Sequence, residues 1–208
     1  MARTAGSTGE KTSLAIQRAA VRLFAERGYA AVSMRAIAED VGIQVGALYN
    51  HFSTKQDVLV QVLLVHMRDL IEKWETIYDA NGQPQDVLEK LVRFHVRYHM
   101  DRHNEVFISF MELRSLEPEN FSKVEAIRQR YEHQVRDVLE RGRVLGAFAL
   151  EDAHVSAMAL IAMMTGVTNW YKPDGRLSGD EIEEIYVAKA FRSVGLPVTH
   201  DVQERRAG

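Results

Sequence analysis

Between Ser33 and Lys55 the chain reads SMRAIAEDVGIQVGALYNHFSTK, and the second half of this stretch is made of residues suited to reading another molecule. Leu48 and Phe52 lie four apart and face inward on a short helix, which leaves Gln44, Val45, Gly46, Ala47, Tyr49, Asn50 and His51 for its outer face and leading end. That surface is small, neutral and hydrogen-bonding. Base edges on the floor of a DNA major groove offer donors, acceptors and thymine methyls, while phosphates line the walls, so the surface suits base reading better than phosphate clamping alone.

A second set with chemical potential lies further on. His95, His99 and His103 recur every four residues and share one helix face, a spacing that two metal ligands could use. Three histidines in line cannot converge on one tetrahedral ion, no cysteine is available, and Asp101 points off that face, so no metal site is expected. Polar groups in a ligand pocket, or a solvated stripe, fit the histidines better. Aromatic and methionine side chains surround them in sequence, and Phe94, His95, Tyr98, His99, Phe107, Phe110, Met111, Met163 and Trp170 form a candidate effector-binding set. The same residue types at helical spacing also build ordinary cores. No nucleophile elbow, phosphate loop or metal motif is present, so neither enzymatic activity nor a cofactor is expected.

The elements that must position these residues read as helices. Ser33 is a natural N-cap for a helix carrying Met34, Ile37, Ala38 and Val41 on one face, Gly42 ends it, and Ile43 plugs the corner before a second helix over about residues 45–52. A preceding helix over 12–27 has Ile16, Ala20, Leu23 and Phe24 as its inward stripe; its Arg18 and Arg22 face outward, either onto a DNA backbone or into solvent. Thr54 opens a long helix that meets no Gly or Pro until Gly82 and Pro84. Helices are then expected over 85–103, 105–116, 119–143, 151–171 and 179–194, with no strand-period segment competing. The fold class is all-α.

This pattern resembles the TetR family of bacterial transcriptional repressors, from FAERGY (Phe24 to Tyr29) through IAEDVGIQVGALYNHF to Thr54 and Lys55, continuously over residues 12–57. The resemblance implies an N-terminal three-helix DNA-binding domain with a helix-turn-helix and a C-terminal helical ligand-binding and dimerisation domain. It implies a DNA contact at Arg35, phosphate contacts at Tyr49, His51 and Lys55, and base-facing roles for Gln44, Val45, Gly46, Ala47 and Asn50. Lacking a side chain, Gly46 lets the helix N-terminus approach DNA closely. The later run WYKPDGRLSGDE, starting at Trp170, is similar to a stretch in family members governing fatty-acid, branched-chain and steroid catabolism, several of which sense acyl-CoA thioesters. A turn at Pro173 to Gly175 and a Ser178/Glu181 capping box would explain the same residues locally.

Composition agrees with a regulator. Of 208 residues, 46% are hydrophobic and 26% charged, and there is no cysteine, which fits a reducing cytoplasm. The net charge of −3 divides unevenly: residues 1–57 carry seven cations against five anions, leaving an acidic remainder. No secretory signal or membrane span is recognisable. The expected organisation is a flexible arm over 1–11, the DNA-binding domain over 12–57, an effector-binding and dimerisation domain over 58–196, and a disordered tail over 197–208. Expected partners are a double-stranded DNA operator with palindromic half-sites, a small-molecule effector and a second copy docked through the helices at 151–171 and 179–194. Ligands other than acyl-CoA, such as a free aromatic, a fatty acid or a drug-like molecule, satisfy the same features. An all-helical enzyme and a protein-only adaptor are the rival classes.

Overall fold

The computed structural model describes residues 5–197, and every regular element among them is a helix. In chain order these are α1 (Ala5–Arg27), α2 (Met34–Val41), α3 (Val45–Tyr49), α4 (Lys55–Ile77), α5 (Pro84–Met100), α6 (His103–Met111), α7 (Pro118–Val144), α8 (Ala153–Thr165) and α9 (Gly179–Ser193). Short 3₁₀ turns occupy Leu113–Ser115 and Gly166–Asn169.

Several boundaries differ from the sequence reading: α5 ends at Met100 rather than at 103, α6 runs from His103 to Met111 rather than over 105–116, α8 ends at Thr165 rather than at 171, and both α1 and α3 are changed as well. Residues 5–11, expected to be part of a flexible arm, are the first turns of α1. Gly6 and Gly9 weaken a helix without breaking it, no proline intervenes, and extending a helix that already runs to Arg27 fixes only one further residue per bond. α3 stops at Tyr49, although the amides of His51 and Phe52 still donate to the Leu48 carbonyl, at 2.9 and 3.1 Å, so the last turn closes more tightly than an α-helix. The tail from residue 198 lies outside the described residues.

Packing gathers the chain into two compact units. One takes the chain up to Ile71 together with Arg102–Gln129; the other takes Glu72–Asp101 and the chain from Arg130. This grouping is by contact and differs from the functional division drawn at residue 57.

The first unit is organised by α1, α2, α3 and the head of α4. Ile16, Ala20, Leu23 and Phe24 of α1 meet Ile37 and Ala38 of α2, Leu48 of α3 and Val58, Leu59 and Leu63 of α4 in one cluster, joined by Ile108 of α6 and Val124 of α7. Each such Leu, Ile or Phe stabilises the unit by about 1.5–3 kcal/mol through burial. Ser33 caps α2, its hydroxyl accepting from the Ala36 amide at 3.1 Å. Gly42 ends α2 in the left-handed conformation at φ 76°, and the Ile43 amide returns to the Ala38 carbonyl at 3.0 Å. A side chain at Gly42 would be held in that conformation at about 1–2 kcal/mol. Thr54 and Asp57 form a reciprocal cap ahead of α4: the Asp57 amide donates to the Thr54 hydroxyl and the Thr54 amide to the Asp57 carboxylate, at 3.0 and 2.9 Å.

The second unit is built on α5 against α8 and α9. Leu88, Leu91, Val92 and Val96 of α5, Tyr131, Val135 and Leu139 of α7, Leu160 and Met164 of α8, and Ile182, Val187 and Ala190 of α9 are buried. A charged lattice ties α5 to α9: Arg97 binds Glu183 and Asp180, and Arg93 binds Glu89 and Glu184. Ser178 and Glu181 form the expected capping box at the start of α9.

Candidate nucleic-acid interface

α2 and α3 meet at the Gly42 turn, and this corner sets the direction of every expected DNA-facing side chain. Leu48 is fully buried and Phe52 nearly so, which turns the opposite side of α3 outward. Gln44, Gly46, Asn50 and His51 are exposed, and Val45 and Ala47 are half-buried. Tyr49 keeps 49% of its surface in solvent, an unusual position for a large ring and one that a partner surface would cover. A Cβ added at Gly46 would meet nothing within 4 Å, so the fold itself does not require glycine there.

Arg35 stands on the first turn of α2 with a side chain 80% exposed, its guanidinium held by Glu39 at 2.9 Å. An exposed pair of this kind is weak, and a phosphate or a guanine edge can displace it. Arg35, Val45, Tyr49 and Lys55 line one shallow concavity of about 460 Å³ with residues 30–34. Arg22 of α1 is engaged by Asp40 and by Glu26, which ties α1 to α2 across the back of the corner.

Lys55 has a role that spacing did not reveal. Its ammonium donates to the carbonyls of Tyr29 and Val32, at 2.9 and 2.8 Å, and sits 4.2 Å from the centre of the Tyr29 ring. Two of its three protons therefore fix the loop between α1 and α2, leaving one for an outside acceptor.

The candidate effector residues separate into groups. Phe94 and Tyr98 pack tilted along α5 with centroids 5.7 Å apart, and Trp74 stacks on Phe94 at 6.0 Å. His95 and His99 are buried one turn apart with rings parallel at 3.8 Å. The ring nitrogens of His95 meet the Tyr131 hydroxyl at 2.7 Å and the Thr165 hydroxyl at 2.9 Å; in a neutral ring one nitrogen donates and the other accepts. A ligand can hydrogen-bond to His95 only by displacing one of these. Burial pushes the Tyr131 phenol well above its ordinary value, so it stays neutral. Met163 and Trp170 line a pocket of about 500 Å³ with Arg176, Leu177, Ile182, Ile185, Tyr186 and Lys189. Phe107, Phe110 and Met111 belong to the other unit and are 38%, 49% and 43% exposed. His103 is exposed at the start of α6, and no group of three or more His or carboxylate side chains suited to a metal occurs among the described residues.

Sequence reasoning missed Tyr131, Thr165, Arg176 and Lys189. Tyr131 and Thr165 lie 36 and 70 residues from His95, so no local spacing links them. Arg176 and Lys189 lie on either side of the capping box in sequence, with no spacing that links them to Met163.

Comparison with known proteins agrees with this geometry. Residues 16–62 match the family described as bacterial regulatory proteins, tetR family, and residues 81–194 match the tetracyclin repressor-like C-terminal domain. The HTH-type transcriptional repressor KstR2 of Rhodococcus jostii (strain RHA1) is 28% identical over 196 residues, covering 93% of this chain and 95% of its own. Among solved structures, AibR in complex with isovaleryl coenzyme A and operator DNA is similar at a TM-score of 0.79 and 26% identity, with 86% of this chain and 98% of that one covered. The ketosteroid transcriptional regulator KstR2 of Mycobacterium tuberculosis gives a TM-score of 0.76 at 26% identity, covering 86% and 92%. No helix among the described residues is long and apolar enough to cross a membrane. A preformed helix-turn-helix on one unit, a helical body in the other and family matches across both lead to one conclusion: this chain belongs to the TetR family of DNA-binding transcriptional regulators.

Proposed function

We propose that the protein is a cytoplasmic repressor that binds a palindromic operator as a two-fold dimer, and that an acyl-CoA thioester releases it. The observation that carries the DNA half of this reading is the outward face of α3, where exposed Gln44, Asn50 and His51 flank a glycine that the fold does not need. Base contacts belong to Gln44, Val45, Gly46, Ala47 and Asn50; backbone contacts belong to Arg35, Tyr49, His51 and the remaining proton of Lys55.

α8 supports the dimer. Val155, Met158, Ala159 and Ala162 share one face and are exposed, Val155 by 64%, and Ile185 of α9 is exposed by 42%. An apolar stripe of this kind suits an isologous contact with a second copy.

For the effector, the pocket holding Met163 and Trp170 combines an apolar lining with the cations of Arg176 and Lys189, a combination that suits an apolar anion. AibR, which is structurally similar, is described with isovaleryl coenzyme A. The protein acts by binding rather than turnover. Repression is relieved only if the effector prefers a conformer that no longer fits the operator.

Selection of bound duplexes from a random pool, repeated at rising salt and then with acyl-CoA thioesters, free fatty acids and aromatic acids, tests the whole reading. The expected outcome is one palindrome released by thioesters. Release by free acids alone would replace the thioester by a carboxylate ligand, and recovery of no preferred sequence would sink the operator assignment.

A further inference from the structure

Glu112 follows the last residue of α6 and is only 8% exposed, although it is distant in sequence from the reading helices. Its carboxylate accepts the Tyr29 amide at 3.0 Å and the Ser115 hydroxyl at 2.6 Å. Tyr29 follows Gly28, which turns the chain out of α1 at φ 77°. The carboxylate thus lies at the C-terminal ends of both α1 and α6, and its two donors tie the corner after α6 to the loop after α1.

Tyr29 is the hub that gives the arrangement its direction. Its amide is held by Glu112, its carbonyl and ring face by Lys55, and its hydroxyl accepts from the Gln56 side-chain amide at 3.1 Å. The same Gln56 nitrogen donates to the Ser115 carbonyl at 2.6 Å, and the Gln56 oxygen accepts from the Glu117 amide at 3.3 Å. Gln56 and Lys55 form the first turn of α4, directly after the reading helix. All of these residues lie in one compact unit, so the corner from α6 to α7 is built into the DNA-reading head.

We propose that Glu112 is a positioning residue for DNA recognition: through Tyr29 and Gln56 it fixes the loop between α1 and α2 and the head of α4, and so sets the angle at which α3 is presented. This rests on the dimeric operator reading only where half-site spacing is used as the readout.

The test uses the full-length protein without effector, on duplexes carrying the selected half-sites at the preferred spacing, at one base pair more or less, and as a single half-site. Folded fraction is checked by circular dichroism. E112A is expected to bind the preferred duplex about tenfold more weakly, the size expected for loss of a charge-assisted hydrogen bond. Its salt dependence should match the parent because no phosphate contact is removed, and its discrimination between spacings should narrow. E112Q should recover most of the affinity, since its amide oxygen can still accept the Tyr29 amide. Q56A should weaken binding and add little to E112A, the signature of one coupled network. Unchanged affinity in folded E112A and Q56A overturns the proposal, as does a loss additive between Glu112 and Gln56 and equal at every spacing. If E112A does not fold, Q56A decides: parent-like affinity in folded Q56A overturns the proposal. If the parent shows no spacing preference, the dimer reading fails, and affinity for the single half-site still decides the role of Glu112.

Discussion

The outward face of α3 and the buried histidines of α5 treat polar groups in opposite ways. On α3, Gln44, Asn50 and His51 stand in solvent, and even Arg35 is held only by an exposed ion pair. On α5, His95 is buried with both ring nitrogens engaged inside the protein, and the His99 Nδ1–H donates to the His95 carbonyl at 2.7 Å. A DNA-reading surface can be preformed because water satisfies it until the operator arrives. A buried polar cluster must be satisfied from within, so any ligand reaching it competes with bonds that already exist.

The largest test of this contrast is His95→Ala. It leaves the hydroxyls of Tyr131 and Thr165 buried without their shared partner and opens a void, with an expected loss of about 3 kcal/mol in urea unfolding. A loss below about 0.5 kcal/mol would mean that the cluster is not a structural bond set, and the contrast with α3 would fall. Asn50→Ala should do the reverse. Stability should stay within about 0.5 kcal/mol, while discrimination between operator variants at one base position changes by about 2 kcal/mol, measured by competition with single-base variants. Uniform weakening across all variants would instead make Asn50 a backbone contact.

The smallest effect sharpens the picture of the core. The folded-state value of Tyr131 is raised by burial, so its contribution to stability is intact below the unfolded value of about 10 and is lost as pH rises through and beyond it. Near pH 11 the loss should reach about 1.4 kcal/mol. The difference between parent and Tyr131→Phe in urea midpoint, followed from pH 8 to 11, isolates this residue from the other tyrosines.

The contrast also explains what was legible in the sequence. Ser33, Gly42, Leu48 and Phe52 each act on partners within about five residues, so caps, a turn and an inward pair could be read from spacing, and the exposed face followed by elimination. The Ser178 and Glu181 cap was legible for the same reason. Lys55 was read as a phosphate contact from its position, while its bonds to Tyr29 and Val32 span 26 and 23 residues and leave no local trace. The histidine stripe shows the limit most clearly. His95, His99 and His103 share a spacing, yet α5 ends at Met100, so the third begins another helix and is exposed while the first two are buried. Periodicity carries meaning only as far as the helix that supports it.

Gly42 and Gly46 stand four residues apart and look alike in the sequence, but different agents hold them in place. A library randomised at both positions and selected only for soluble expression would return glycine at 42, where φ is 76°, and scatter at 46, where the added Cβ meets nothing. Selection for operator binding would narrow position 46 as well. Variation at 46 would then record the history of the DNA site, and variation at 42 the history of the fold.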